Sequence, residues 1–189
     1  MKIKGFHGTD KAVAEDLLHN KFSCKSNDEH WLGNGIYFFV DKSLAEWWTT
    51  KPSKKYGTKI DNRAILECDI EIDESRVLNL CSLEGYKKYA DLFNHFFSNV
   101  FYENRPDELL DFKKIRALFF NHLFLCKKID MVIAPFIEPE QPYLPHFDNE
   151  NYFKEMHIMY TEIQICLHEK YQDVIKTKSL IEVVNNNEK

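Results

Sequence analysis

Strand-like and helix-like segments follow one another here without the regular strand–helix–strand alternation that builds a doubly wound parallel sheet. The opening, Ile3 to His7, reads as a first strand. A helix is expected from Thr9 or Asp10, whose side-chain oxygens can accept from the free N–H groups at its start. Val13, Leu17 and Leu18 recur at helical spacing, and Asn20 is the expected stop. The polar loop "SCKSNDEHWLGNG" leads into the strand "GIYFFV", and Asp41 caps a short helix through "SLAEWW". "KPSKKYGTK" is expected to be a basic surface loop. "RAILECDIEI" alternates as a strand, with "RVLNL" as a shorter sequel. Two aromatic-rich helical segments come next, Leu83 to about Phe101 and Asp107 to about Leu125. "IDMVIAPF" and "MHIMYTEIQICL" return to strands, on either side of the proline-broken "IEPEQPYLPHFDNENYF". "EKYQDVIKTKSLIEVV" closes the chain as a short helix and a strand. This order predicts an α+β fold.

The 189 residues suit one domain, 1–189, large enough to bury a core without disulfide or metal staples. With 15 Phe, 9 Tyr and 3 Trp against only 6 Gly and 6 Pro, the composition argues against disorder. A net charge of -5 gives no global case for a nucleic-acid or anionic-membrane partner. Local patches remain: Lys51, Lys54, Lys55 and Lys59; Lys113, Lys114 and Arg116; Lys127 and Lys128. Charge runs of this size are usually solvated faces. The five cysteines form no CxxC pair and read as reduced thiols of a cytoplasmic protein. No apolar run is long enough to span a bilayer, so no membrane partner is expected. No histidine or cysteine spacing marks a metal site.

Neither GxGxxG nor GxxxxGK[ST] occurs, so a bound nucleotide would need another kind of cradle. Two short segments offer one. In "WLGNGIYFF", Gly33 and Gly35 bracket Asn34, which suits a tight turn or a close backbone approach. Tyr37 then faces one side of a strand, with Ile36 and Phe38 on the other. By itself this is a hairpin leading into a core strand, and His7 by itself is an ordinary core or surface histidine. Taken together, "FHGT" at a strand-to-helix junction, "LGNGIYF" and the trailing "SLAEWW" resemble the ADP-ribosyltransferase superfamily. The resemblance is to its diphtheria-toxin and poly(ADP-ribose) polymerase branch, with the His-Tyr-Glu signature. It covers residues 5–48 closely and about 129–183 loosely; the helical segment 83–127 has no counterpart and reads as an insertion.

The resemblance implies a split β-sandwich of two antiparallel sheets with flanking helices, and NAD as substrate in the cleft between them. His7 would hydrogen-bond a ribose hydroxyl, and the Gly8 backbone would pair with the nicotinamide carboxamide. Thr9 would cap the helix or touch the adenosine ribose. Tyr37 would stack on the nicotinamide ring, with Trp47 and Ser43 from the following helix completing the pocket. A late strand would supply a carboxylate that binds a ribose hydroxyl and stabilises the oxocarbenium-like transition state. Glu162 in "MHIMYTEIQICL" fits that role, and Gln164 lies two residues on, facing the same way on a strand. Which of Glu162 and Gln164 takes the catalytic position stays open between them, with Glu138, Glu140 and Glu155 as further carboxylates.

The implied activity is transfer of ADP-ribose from NAD to a macromolecular acceptor, a protein or a nucleic acid. Small relatives act as toxins or in phage defence, which implies an antitoxin partner. Two other readings stand beside it: an inactive module that binds NAD, ADP-ribose or nucleic acid, and an NAD glycohydrolase. Selectivity would sit in the loops at 24–29, after Trp48, and at 138–151.

Overall fold

The computed structural model of the protein describes residues 1–26, 30–50, 62–101, 112–136 and 161–183. Seven strands form one sheet in the order β4-β5-β6-β2-β1-β3-β7. They are β1 (Lys2–Asp10), β2 (Ile36–Phe39), β3 (Arg63–Glu71), β4 (Val77–Asn79), β5 (Met131–Phe136), β6 (Glu162–Leu167) and β7 (Ile175–Glu182). Helices α1 (Lys11–His19), α2 (Lys42–Thr50), α3 (Leu83–Phe96) and α4 (Phe112–Leu125) flank it. The fold thus mixes strands and helices as expected. In place of two antiparallel sheets there is one sheet, and its β4–β5 pair is parallel.

The elements follow the sequence pattern, with differences at their ends. β1 runs past His7 to Asp10 because its backbone keeps pairing with β3 as far as Arg63. That leaves Asp10, not Thr9, as the helix cap: its carboxylate accepts from the Ala12 N–H at 2.9 Å. Such a cap contributes about 0.5–2 kcal/mol. Asn20 closes α1, donating its N–H to Asp16 O at 3.0 Å. The first long helical segment is α-helical only to Phe96 and finishes as a π-helical turn at Phe97–Phe101. The expected closing helix is a 3-10 turn, Glu169–Val174, ahead of β7. The basic loop 51–59, the start of the second helical segment at 107–111, the segment 137–160 and the tail 184–189 lie outside the described residues, as do Glu138, Glu140 and Glu155.

The sheet buries both faces. On one, α1 and Phe22 cover Phe38, Leu66, Cys68, Ile133, Ile165 and Leu167. On the other, α3 and α4 cover Leu78, Val132, Ala134 and Cys166 with a dense aromatic layer around Phe96, Phe119 and Phe120. A smaller cluster sits beside it, where Leu44 and Ala45 of α2 meet Phe39 and Ile65. Glu162 and Gln164 come up between these two clusters, on the face that carries α2 and α4. Among the described residues no helix is long and apolar enough to cross a membrane.

Candidate functional site

The seam between β1 and β2 organises the site. β1 pairs with β3 at every residue from Lys2 to Asp10, but with β2 at one position, Phe6 opposite Phe39. Antiparallel strands alternate the direction of their backbone groups. Met1 O accepts from Ile72 and Lys11 N–H donates to Asn62 O, so the odd-numbered residues of β1 bond to β3. The even-numbered ones, Phe6 and Gly8 among them, turn their N–H and C=O towards β2. Val40 N–H donates to Ile163 O, which by the same alternation turns the backbone groups of Tyr37 and Phe39 towards β1. Gly8 opposite Tyr37 is therefore the pair that would extend the seam, and the ladder stops before it.

His7 explains the stop. Its Nδ1 lies 2.8 Å from Tyr37 O, a position that a ladder bond would otherwise use. A carbonyl only accepts, so Nδ1 carries the proton and the neutral ring keeps a lone pair on Nε2. The ring packs edge-on against Phe22 at 5.4 Å and Phe38 at 6.1 Å. Burial pushes its pKa down, against the opposing pull of the bond to Tyr37 O, and favours the neutral form. Phe22 is itself clamped, by paired hydrogen bonds of its backbone to Gln172 at 2.7 and 2.8 Å. Thr9 shares the His7 side of β1 by alternation. Gly8 is required by packing: a Cβ there would stand 2.2 Å from Ala45 O of α2.

Tyr37 is held at its far end. Its hydroxyl accepts from Leu32 N–H and donates to Gly33 O, both at 2.8 Å. Gly33, at φ 83°, makes the turn that presents both groups. Burial raises the phenol far above its ordinary range, so it stays a neutral donor. The ring packs with the α3–α4 cluster, on the opposite face from His7. The two residues therefore meet through the Tyr37 carbonyl and not ring to ring.

On β6, Glu162 and Gln164 face the same way as Tyr37 and are buried, at 2% and 9% exposure. Gln164 Nε2 donates to Glu162 Oε1. Gln164 stands between Phe39 and Ala134 on the neighbouring strands, and Glu162 lies opposite Phe136. Aromatic rings border the pair on both sides. Trp48 lies 6.1 Å from Phe39, and Trp31 lies 4.7 Å from Phe136. A guanidinium, Arg116 of α4, sits over the Trp31 ring at 5.6 Å.

The structure thus gathers His7, Gly8 and the Tyr37 backbone at the seam, and Tyr37, Glu162 and Gln164 on one face beside it. Ser43 and Trp47 stand apart from that gathering. Ser43 is exposed in the first turn of α2, where its N–H donates to Asp41 at 2.8 Å. Trp47 is half-buried, while its neighbour Trp48 makes the Phe39 contact. Trp48 was legible: it follows the buried Leu44 by one helical turn, so both lie on the same side. Phe39 and Phe136 were hidden among ordinary strand aromatics. Arg116 was visible only as part of a basic run.

Among the described residues no three His, Cys, Asp or Glu side chains gather as a metal site. A surface hollow of about 390 Å³ lies at the other end of β1, among Lys2, Lys4, Asp69 and Glu71. Its charges pair with one another, Lys2 with Glu71 at 3.6 Å and Lys4 with Asp69 at 3.9 Å.

No family model matches the chain, and no solved structure matches it. It is similar to a protein of Methanocaldococcus jannaschii described as uncharacterized, 29% identical over 183 residues that cover 90% of this chain and 83% of the relative.

Proposed function

We propose that the chain is an NAD-dependent ADP-ribosyltransferase that works at the β1–β2 seam. The observation that carries this reading is the interrupted ladder, which leaves the Gly8 N–H and C=O turned towards β2 beyond the last paired position, with the buried Glu162 carboxylate two strands away on β6. A donor and an acceptor on one residue match the carbonyl and NH2 of a carboxamide such as that of nicotinamide. The lone pair on His7 Nε2 suits a ribose hydroxyl, on the face of the sheet opposite Tyr37 and Glu162. On this reading the single bridge at Phe6–Phe39 is the hinge line of a split sandwich: β1, β3 and β7 on one side, and β2, β6, β5 and β4 on the other.

In the reaction the bond between the ribose anomeric carbon and the nicotinamide nitrogen breaks. Its electron pair leaves with nicotinamide, and positive charge develops on the ribose. The Glu162 carboxylate stabilises that charge, with Gln164 holding one of its oxygens. An acceptor nucleophile then bonds to the anomeric carbon and loses its proton. In the absence of an acceptor, water gives hydrolysis. A second reading, a cleft that holds NAD or ADP-ribose without turnover, is favoured by the 2% exposure of Glu162.

The test follows nicotinamide release from NAD, with and without cell extract, and incorporation of labelled ADP-ribose. Release with incorporation supports transfer, and release in buffer alone supports hydrolysis. Bound NAD with no release under either condition overturns the enzyme reading in favour of the binding module. Glu162→Gln is expected to lower turnover about 10²–10³-fold while NAD stays bound, in line with losses of a single charge-stabilising group.

A further inference from the structure

The helical insertion has no counterpart in the resemblance, yet one of its side chains packs on an aromatic pair that borders the candidate site. Arg116 lies in the second turn of α4, with its guanidinium over Trp31 at 5.6 Å. Trp31 packs against Phe136, and Phe136 stands opposite Glu162 across the β5–β6 ladder. The cation thus connects to the strand position opposite Glu162 through two aromatic contacts. Among the described residues no carboxylate pairs with Arg116. Its Nε is buried with no hydrogen-bond partner there.

A guanidinium keeps its charge at every physiological pH, so it cannot escape this cost by losing a proton. A buried donor without an acceptor, on a permanently charged group, is unfavourable until an anion arrives. The planar fork of Arg matches two phosphate oxygens at once. Beside it, Trp31, packed between these contacts, keeps 36% of its surface exposed, an indole edge that solvent and a nucleobase can reach. Lys113 and Lys114, one turn or less before Arg116, are exposed and add positive potential at the same end of α4.

We propose that Arg116 and Trp31 form a nucleotide subsite at the edge of the Glu162 site, Arg116 taking a phosphate and Trp31 stacking the adjoining base. Its role in catalysis rests on the transferase reading above. The same chemistry has two sources: the diphosphate and adenine of NAD, or a nucleotide of a nucleic-acid acceptor.

The experiment titrates the full chain with NAD and, separately, with a single-stranded oligonucleotide of about ten residues, a length within the usual span of such sites. Binding is read by tryptophan fluorescence and calorimetry for wild type, Arg116→Gln, Arg116→Lys and Trp31→Leu, with melting curves as the folding control. Arg116→Gln is expected to weaken at least one probe by about 10–100-fold, the range for a lost charge-assisted hydrogen bond. Arg116→Lys, which keeps the charge and loses the fork, is expected to fall between. Weakening confined to NAD assigns the subsite to the donor; weakening confined to the oligonucleotide assigns it to the acceptor. NAD bound equally by all four proteins, with no variant affecting the oligonucleotide, overturns the subsite and leaves the transferase reading standing. Arg116-dependent oligonucleotide binding without any NAD binding supports the subsite and overturns the transferase reading. Wild type binding neither probe overturns both.

Discussion

The two edges of β1 behave as if they belonged to different proteins. Towards β3 the strand pairs at nine consecutive positions; towards β2 it pairs at one. The difference is not backbone propensity, since the same residues serve both edges. Towards β3, Ile65, Leu66 and Cys68 are fully buried, Ile65 on one face of the sheet and Leu66 and Cys68 on the other, so packing holds the strand from both sides. Towards β2, a side chain takes the carbonyl that the next pair would need, and α2 approaches so closely that only glycine fits beside it. The complete edge holds the fold, and the interrupted one leaves Gly8 outside the β1–β2 pairing.

The largest expected effect tests the complete edge. Leu66→Ala should destabilise the protein by about 2–5 kcal/mol, the range for a large-to-small change in a packed core. Denaturant melting checks it, and a loss below 1 kcal/mol would mean that β3 is not the anchor. Gly8→Ala comes next, with an expected loss of about 1–3 kcal/mol, as for other overpacked sites. The Cβ must push α2 away from the seam, so NAD binding should fall as well. Unchanged stability would show that α2 yields freely and that the seam is softer than its geometry implies.

The smallest effect concerns pH. The folded pKa of His7 lies below its ordinary value of 6.5, so the unfolded chain takes up the proton first as pH falls. Stability from the neutral ring is present above about pH 6.5 and is lost progressively as pH falls through the folded pKa. His168, also lowered by burial, adds to the same slope. His7→Asn, whose amide N–H can replace the bond to Tyr37 O, should flatten the dependence below about pH 6.5 without abolishing it. Parallel curves for the two proteins would place the titration elsewhere.

How much of this was legible in the sequence depends on the range of the interaction. The Asp10 cap, the α1 stop at Asn20 and the shared side of Glu162 and Gln164 are local, set by residues two to four apart, and periodicity reveals them. Which tryptophan meets Phe39 is local too, since the buried Leu44 already marks the inward side of α2. Other features join residues far apart in the chain. Gln172 clamps Phe22 across 150 positions, His7 meets Tyr37 across 30, and Asn34 N–H donates to Asn121 across 87. No local pattern encodes these.

The sequence by itself determined the kind of elements, their order and the residue types available to a site, because those depend on side-chain period, caps and turn glycines. Tertiary structure alone decided that the strands make one sheet with a parallel pair, that β1 parts from β2 after Phe6, and that Arg116 lies over Trp31. The physical reason is that burial and backbone satisfaction are settled only when distant segments meet. His7 acts as an ordinary core histidine or as the wedge in a seam according to what arrives beside it.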